Sequence, residues 1–320
     1  MQARDVLVFY DKPEEFLRPL TARFPRLRFH CCRSYADLDD TVANVQPQIA
    51  FACKFEPKPF PRAALINCPT LQWLAVGFAG VDHVVPWDDD KLVVTNASGV
   101  AAAEMAQYVL AAIFGLYQRL PYFARRQAEH VWDYQLIRSA TGARVGLVGL
   151  GHTGEAVARL CRAAGLAVVA CRASPAPSEL VDRVYPAAEL HSMLSAVDVA
   201  VVCTALTAAT RDLFDAKTFA AMRKGSYFIN VARGAVVVEE ALIAALRSNH
   251  LGGAVIDVAR TEPLPPDSPL WDTPNLLITP HTSSEYEGWI ARAADMFADN
   301  LQRWLDGKAL LNRVYSHRGY

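Results

Sequence analysis

The sequence predicts an α/β protein built from two doubly wound parallel-sheet domains. Three observations predict it. Short apolar strand candidates alternate with helix-length segments almost from end to end, the pattern of βαβ units. The strand candidates are continuous apolar and β-branched runs, not strict alternations, as expected of strands covered on both faces. The chain has 320 residues, 52% hydrophobic and 20% charged, which is enough for one large or two medium cores.

In chain order, DVLVFY (5–10), QIAFACKF (48–55) and LQWLAV (71–76) are the strand candidates of the first third. A long helix pattern at 99–119 follows and can connect two domains. A second helix pattern lies at 127–137. RVGLVG (144–149), LAVVAC (166–171), VDVAVVC (197–203), SYFINVA (226–232), GAVIDV (253–258) and NLLIT (275–279) form the later strand set. PLPPDSPLWDTP (263–274) reads as a proline-rich loop that runs over the surface or lines a cleft. An amphipathic pattern at 284–307 is the last helix. No repeat or low-complexity tract interrupts the alternation.

Composition narrows the functional classes. The net charge is −1 and no polybasic face is implied, so neither nucleic acid nor an anionic membrane is an expected partner. The N-terminal MQARDVLVFYDKP enters a strand pattern with no basic segment before an apolar one, so no signal peptide is expected. Glu104 and Gln107 interrupt the apolar stretch 96–117, which reads as a buried helix and not a membrane span. Seven cysteines, an odd count, match no metal spacing or CxxC pair. They read as small core residues in a reducing cytoplasm, with no metal site expected.

Gly149, Gly151 and Gly154 form G-x-G-x-x-G between a strand and a helix pattern, and Leu150, His152 and Thr153 complete the turn. The first glycine allows the tight turn. The second lets backbone approach a pyrophosphate, and the third lets helix and strand pack closely. N–H groups at the helix start then face the phosphates. The alternative is an incidental glycine turn. The next strand ends on Arg172, where an acid would accept hydrogen bonds from a ribose 2′-OH. An arginine cannot accept. It can pair with a 2′-phosphate, and Ser174 can add a hydroxyl donor. NADP(H) is therefore expected over NAD(H); the alternative is a solvated arginine. Thr204, just past the 197–203 strand, joins the expected cofactor-binding residues.

NVARG (230–234), DVARTEP (257–263) and ITPHTSSE (278–285) each follow a strand candidate. Carboxyl ends of parallel strands line the ligand crevice of such sheets, which gathers Arg233, Glu262 and His281 on one rim. Singly, each has an ordinary reading as a turn arginine, a solvated loop acid or a capping histidine. Together they suit acid–base chemistry, because a carboxylate beside an imidazole favours its protonated form.

With LQWLAVGFAGVDHV (71–84), TNASGVAAAEMAQYVLAAI (95–113), VGLGHTGEAVARL (148–160), the stretch 204–246 and GGAVIDVARTEPLPPDSPLWDTPNLLITPHTSS (252–284), the chain resembles the D-isomer-specific 2-hydroxyacid dehydrogenases over nearly its whole length. The resemblance is greatest to the NADPH-dependent glyoxylate/hydroxypyruvate reductases. It implies a Rossmann dinucleotide-binding domain, 99–284, inserted in a flavodoxin-like substrate-binding domain of 1–98 plus 285–320. It implies that Arg233 binds the substrate carboxylate and polarises the keto oxygen, that His281 is the general acid in reduction and that Glu262 pairs with it. Backbone N–H groups of Val76 and Gly77, in VGFAG, would meet the same carboxylate, the alternative being a plain strand-to-helix turn. Asp257 matches a position facing the nicotinamide carboxamide, the alternative being a helix cap or structural acid.

Ala259 and Ala205 depart from an aromatic and a proline that are usual in the family. Glu262, where formate dehydrogenases carry an amide, argues against formate. The short stretch after 307 leads us to expect no appended regulatory domain. The resemblance implies a homodimer packed through the apolar helices at 99–119 and 127–137. It leaves HVWDY (130–134) open between an aromatic sent across that interface and an ordinary surface or core aromatic. Which of Phe55, Phe78 and Trp132 meets the substrate is open too. So are a bulkier 2-ketoacid and a dinucleotide-sensing, corepressor-like binding protein of the same fold.

Overall fold

The computed structural model describes residues 4–318, which form two compact units. One ends at Val100 and resumes at Glu287; the other runs Ala101–Tyr286. The first unit opens with β1 (Asp5–Phe9), α1 (Glu14–Arg23), β2 (Arg28–Cys32), α2 (Leu38–Val45), β3 (Ile49–Ala52), α3 (Arg62–Ile66), β4 (Trp73–Val76) and β5 (Val93–Asn96). The second contains α4 (Ala102–Tyr117), α5 (Leu120–Ala128), β6 (Arg144–Val148), α6 (His152–Ala163), β7 (Ala167–Arg172), β8 (Arg183–Pro186), α7 (Leu190–Leu194), β9 (Val199–Val202), α8 (Ala216–Ala221), β10 (Ser226–Asn230), α9 (Glu239–Arg247), β11 (Leu251–Ile256) and β12 (Leu276–Ile278). The chain then returns to the first unit with α10 (Trp289–Leu305) and β13 (Arg313–Val314).

The first sheet has the order β13-β5-β4-β3-β1-β2 and the second β12-β11-β10-β9-β6-β7-β8. All pairings are parallel except β13 with β5. That antiparallel edge is an addition to the expected parallel sheets: the chain reaches β5 from α10 through a short link, with no crossover helix.

Both faces of each sheet are covered, which is why the strands read as unbroken apolar runs. In the first unit Leu7, Ala50 and Leu74 meet Leu38 and Leu65 on one face. Val6, Val8 and Trp73 meet Phe297 and Leu301 on the other. In the second unit Leu147, Val168, Val201 and Ile229 pack beneath Ile113 of α4 and Val157 of α6. Val148, Ala200, Phe228 and Ile256 pack against Met193, Phe219 and Leu242 of α7, α8 and α9. Each such buried large side chain contributes about 1.5–3 kcal/mol. In the second sheet the strand order reverses between β6 and β9, which opens the usual ligand position at their carboxyl ends.

Two helix expectations are corrected. The pattern at 127–137 is not a helix: α5 stops at Ala128, His130 turns left-handed (φ 57°), and 131–140 has no regular structure. Left-handed residues end helices because the next N–H groups fold back onto the last carbonyls, and here Val131 N–H donates to the Arg126 carbonyl at 2.9 Å. The last helix begins at Trp289, not 284, behind Gly288 at φ 88°. Among the described residues, no helix is long and apolar enough to cross a membrane.

Candidate functional site

The glycine turn joins β6 to α6. Gly149 has φ 107°, a conformation that L side chains rarely adopt, and a Cβ there would lie 2.8 Å from the Cys203 carbonyl oxygen. The turn therefore packs on the end of β9, with Thr204 Cα 2.9 Å from the same point. A Cβ on Gly154 would sit 2.4 Å from the Gly149 oxygen, so helix and strand approach as closely as backbone permits. Gly151 differs: beyond its own residue and its two chain neighbours, no protein atom lies within 4 Å of its would-be Cβ. No side chain caps α6, whose first turn begins with His152 and Thr153. An open glycine before an uncapped helix start is a cradle that fits a pyrophosphate. Leu150 points into the core, and the Thr153 hydroxyl faces the Met105 sulfur at 3.6 Å. His152 is exposed.

Arg172 is the last residue of β7, at the carboxyl edge beside this turn. Its Nη1 donates to the Leu150 carbonyl at 3.5 Å and its Nη2 to the Ala176 carbonyl at 2.6 Å. Its Nε is buried without a partner, and among the described residues no carboxylate pairs with it. Two carbonyls orient the guanidinium but leave its charge uncompensated, which suits an anion. Ser174 lies exposed two residues on.

Arg233, Glu262 and His281 follow β10, β11 and β12, three adjacent strands of one sheet. Buried Asn230 shapes the Arg233 turn: its Oδ1 accepts from Ala232 N–H at 3.0 Å and its Nδ2 donates to the Arg233 carbonyl at 3.1 Å. Glu262 Oε2 meets His281 Nδ1 at 2.7 Å, and its Oε1 accepts from Ala259 N–H at 3.0 Å. Burial alone would push the Glu262 carboxyl pKa up. The hydrogen bond and charge of His281, the Ala259 N–H and the Arg233 charge outweigh it and hold the group below its ordinary value. With Nδ1 on the carboxylate, Nε2 is the ring atom left to exchange a proton with a ligand. His281 is left-handed (φ 57°), uncommon for a side chain other than glycine.

Asp257 holds that conformation. Its carbonyl accepts His281 N–H at 2.7 Å, and its carboxylate accepts Thr282 N–H at 2.9 Å, Ser283 N–H at 3.0 Å and the Thr279 hydroxyl at 2.6 Å. The Thr279 proton being committed there, Tyr108 donates to Thr279 Oγ1 at 2.6 Å. Burial pushes the Tyr108 hydroxyl up to about 12, so it keeps its proton. Asp257 is 1% exposed and engaged on both oxygens, which fits the structural-acid alternative. Tyr108 and Thr279 were not singled out from sequence; only the fold brings a helix hydroxyl over this strand end.

In the first unit the VGFAG expectation is corrected. Gly77 N–H donates to the Ala52 carbonyl at 2.9 Å, and Val76 lies inside the ladder between Ala52 and Asn96. Neither belongs to a free loop. Past the ladder, the Phe78 carbonyl accepts Ala97 N–H at 3.0 Å and the Ala79 carbonyl accepts Asn96 Nδ2 at 2.6 Å. A trans peptide points its N–H opposite its carbonyl. The N–H groups of Ala79 and Gly80 therefore point away from β5, past the strand end.

Comparison with known proteins places these features. Residues 110–283 match the family model described as D-isomer specific 2-hydroxyacid dehydrogenase, NAD binding domain. The chain is 34% identical to the (S)-sulfolactate dehydrogenase of Chromohalobacter salexigens, over 74% of this chain and 77% of that one. It is 32% identical to glyoxylate/hydroxypyruvate reductase B of Salmonella newport, over 79% and 81%. Among solved structures it resembles a D-isomer specific 2-hydroxyacid dehydrogenase from Xanthobacter autotrophicus in complex with NADPH and MES. There the TM-score is 0.84 and the identity 34%, covering 99% of this chain and 100% of the other.

Proposed function

The chain belongs to the D-isomer-specific 2-hydroxyacid dehydrogenase family, and from that premise we propose that it reduces a small 2-ketoacid, glyoxylate or hydroxypyruvate, to the D-2-hydroxyacid with NADPH preferred over NADH. The observation that carries the reading is the Glu262–His281 pair at 2.7 Å, one strand away from Arg233, on the sheet whose β6 end carries the glycine turn. When bound, the dinucleotide supplies the hydride that goes to C2. Arg233 offers a planar fork to the substrate carboxylate and draws charge toward the keto oxygen. His281 Nε2 delivers the proton to that oxygen, so alkoxide charge does not accumulate, while Glu262 steadies the imidazolium at Nδ1. In the first unit, Ala79 and Gly80 are the residues whose N–H groups can be offered to a carboxylate. Arg172, with Ser174, takes the 2′-phosphate; the NADPH bound to the Xanthobacter relative supports this preference.

A second reading, a bulkier 2-ketoacid, has one observation in its favour. At the carboxyl edge of the first sheet, half-buried Tyr10, Phe55, Phe78 and Trp289 form a joined aromatic rim, with Phe78 stacked on Trp289 at 4.8 Å. Such a wall favours an apolar substrate side chain. Initial rates of NADPH oxidation with glyoxylate, hydroxypyruvate and phenylpyruvate separate the two: the first reading fails if phenylpyruvate is the preferred substrate.

A homodimer completes the proposal. The segment after α5 exposes Trp132 fully, with Tyr134, Leu136 and Ile137 mostly exposed beside it. It borders a groove of about 580 Å³ against Phe123 and Arg126. A contiguous apolar patch of this kind is covered by a partner in soluble proteins, and here a second copy of the chain fits the requirement.

A further inference from the structure

We propose that Arg260 is a positioning residue that fixes the loop after β11, and with it the Glu262 carboxylate, in register with His281 and with the Arg233 turn. The inference rests on the reading of Glu262 and His281 as the acid pair. Residues 258–262 have no regular structure, so nothing in a sheet or helix holds Glu262 where it is needed. Arg260 provides the hold. Its Nη2 pairs with the Asp212 carboxylate and also donates to the Val237 carbonyl at 2.8 Å. Its backbone N–H donates to Glu239 Oε1 at 2.7 Å.

The platform it grips is the Arg233 turn continued. Asp212 N–H donates to the Ala235 carbonyl at 2.9 Å, Phe214 N–H donates to the Val236 carbonyl at 3.0 Å, and Phe214 forms a parallel bridge with Val237. Gly234, next to Arg233, presses directly on Ala259 and Arg260: a Cβ there would lie 1.9 Å from the Ala259 carbonyl carbon. One guanidinium thus joins the loop bearing Glu262 to the segment bearing Arg233. Arginine suits the task because its fork reaches a carboxylate and a carbonyl together, where lysine reaches them with a single charged point. The Arg260 and Asp212 side chains are 39% and 46% exposed, so the ion pair adds little stability. Its consequence is placement.

The test compares wild type, Arg260→Gln, Arg260→Lys, Asp212→Asn and Glu262→Gln with NADPH bound. The first readout is the far-downfield proton resonance of the His281–Glu262 hydrogen bond, which needs no turnover. Glu262→Gln abolishes it. Arg260→Gln and Asp212→Asn weaken or shift it, and Arg260→Lys restores part of it. The second readout is kinetic. Arg260→Gln lowers kcat about ten- to a hundredfold, as a misplaced catalytic group does, with KM for NADPH and the melting temperature little changed. Arg260→Gln combined with Glu262→Gln is then no worse than Glu262→Gln alone. An unchanged resonance in Arg260→Gln, or multiplying kinetic losses, overturns the proposal. Should Arg260→Gln fail to fold, Asp212→Asn decides by the same criteria. If wild type turns over no 2-ketoacid, the proposed function fails while the resonance still decides this inference.

Discussion

Replacing Gly234 with alanine tests the register of the site by geometry alone. The new methyl carbon would lie 1.9 Å from the Ala259 carbonyl carbon, 2.1 Å from its oxygen and 2.3 Å from Arg260 N. Non-bonded carbons rest at about 3.5–4.0 Å, so one backbone must move by roughly 1.5 Å. None of the three atoms belongs to a side chain that could swing away. Either the turn carrying Arg233 or the loop carrying Glu262 is displaced. Overpacking of this kind costs about 1–3 kcal/mol of stability, and a displacement near 1 Å costs on the order of a hundredfold in rate. The assay is kcat/KM with NADPH and glyoxylate, beside NADPH affinity by fluorescence and a thermal melt. The expected result is roughly a hundredfold loss in kcat/KM with NADPH affinity retained, because the glycine turn lies on other strands. A folded Gly234→Ala protein within twofold of wild type would refute the reasoning.

Three further outcomes are expected. Arg172→Asp removes charge-assisted hydrogen bonds of about 1.5–3 kcal/mol. It should raise KM for NADPH roughly tenfold or more and lower that for NADH; an unchanged preference would place the 2′-phosphate elsewhere. Glu262 has a folded-state pKa depressed below the ordinary 4.5, so its stabilising contribution is present above that value and is lost as pH falls through the lower folded one. In urea unfolding, the stability difference between wild type and Glu262→Gln should persist down to the ordinary glutamate value and vanish only beneath it. Loss already near neutral pH would contradict this. Trp132→Glu places a charge on the exposed apolar segment and should turn a dimer into a monomer by light scattering; a wild-type monomer at micromolar concentration would remove the homodimer proposal.

The sequence made the sheet-forming runs legible because burial on both faces leaves unbroken apolar strands, as in the AVVAC of β7 or the wholly buried β9. It did not show β2 (Arg28–Cys32) or β8 (Arg183–Pro186), edge strands whose arginines and half-exposed residues break the pattern, nor the short β5 (Val93–Asn96) and β13 (Arg313–Val314). Residues 131–137 read as a helix because they are apolar, yet His130 ends α5 and Asp133 turns back to hydrogen-bond Tyr122. Glycines 149, 151 and 154 were legible by their spacing; 149 and 154 answer a steric demand within the chain, and 151 leaves the cradle open. The donors proposed past β4 lie three residues beyond the pair expected from sequence, since strand ends cannot be counted from apolar residues and Gly77 continues the ladder. Arg260, Asp212, Tyr108 and Thr279 carry no local signal: their side-chain partners lie 21 or more residues away, and the fold alone brings them together.

The most direct measurement is a steady-state panel in which purified chain oxidises NADPH in the presence of glyoxylate, hydroxypyruvate and phenylpyruvate, with Arg233→Gln and His281→Gln variants as controls. The account predicts rapid oxidation with at least one 2-ketoacid and a loss of about a hundredfold or more in either variant. A folded protein that binds NADPH and turns over none of them would contradict it and leave a dinucleotide-sensing protein of the same fold.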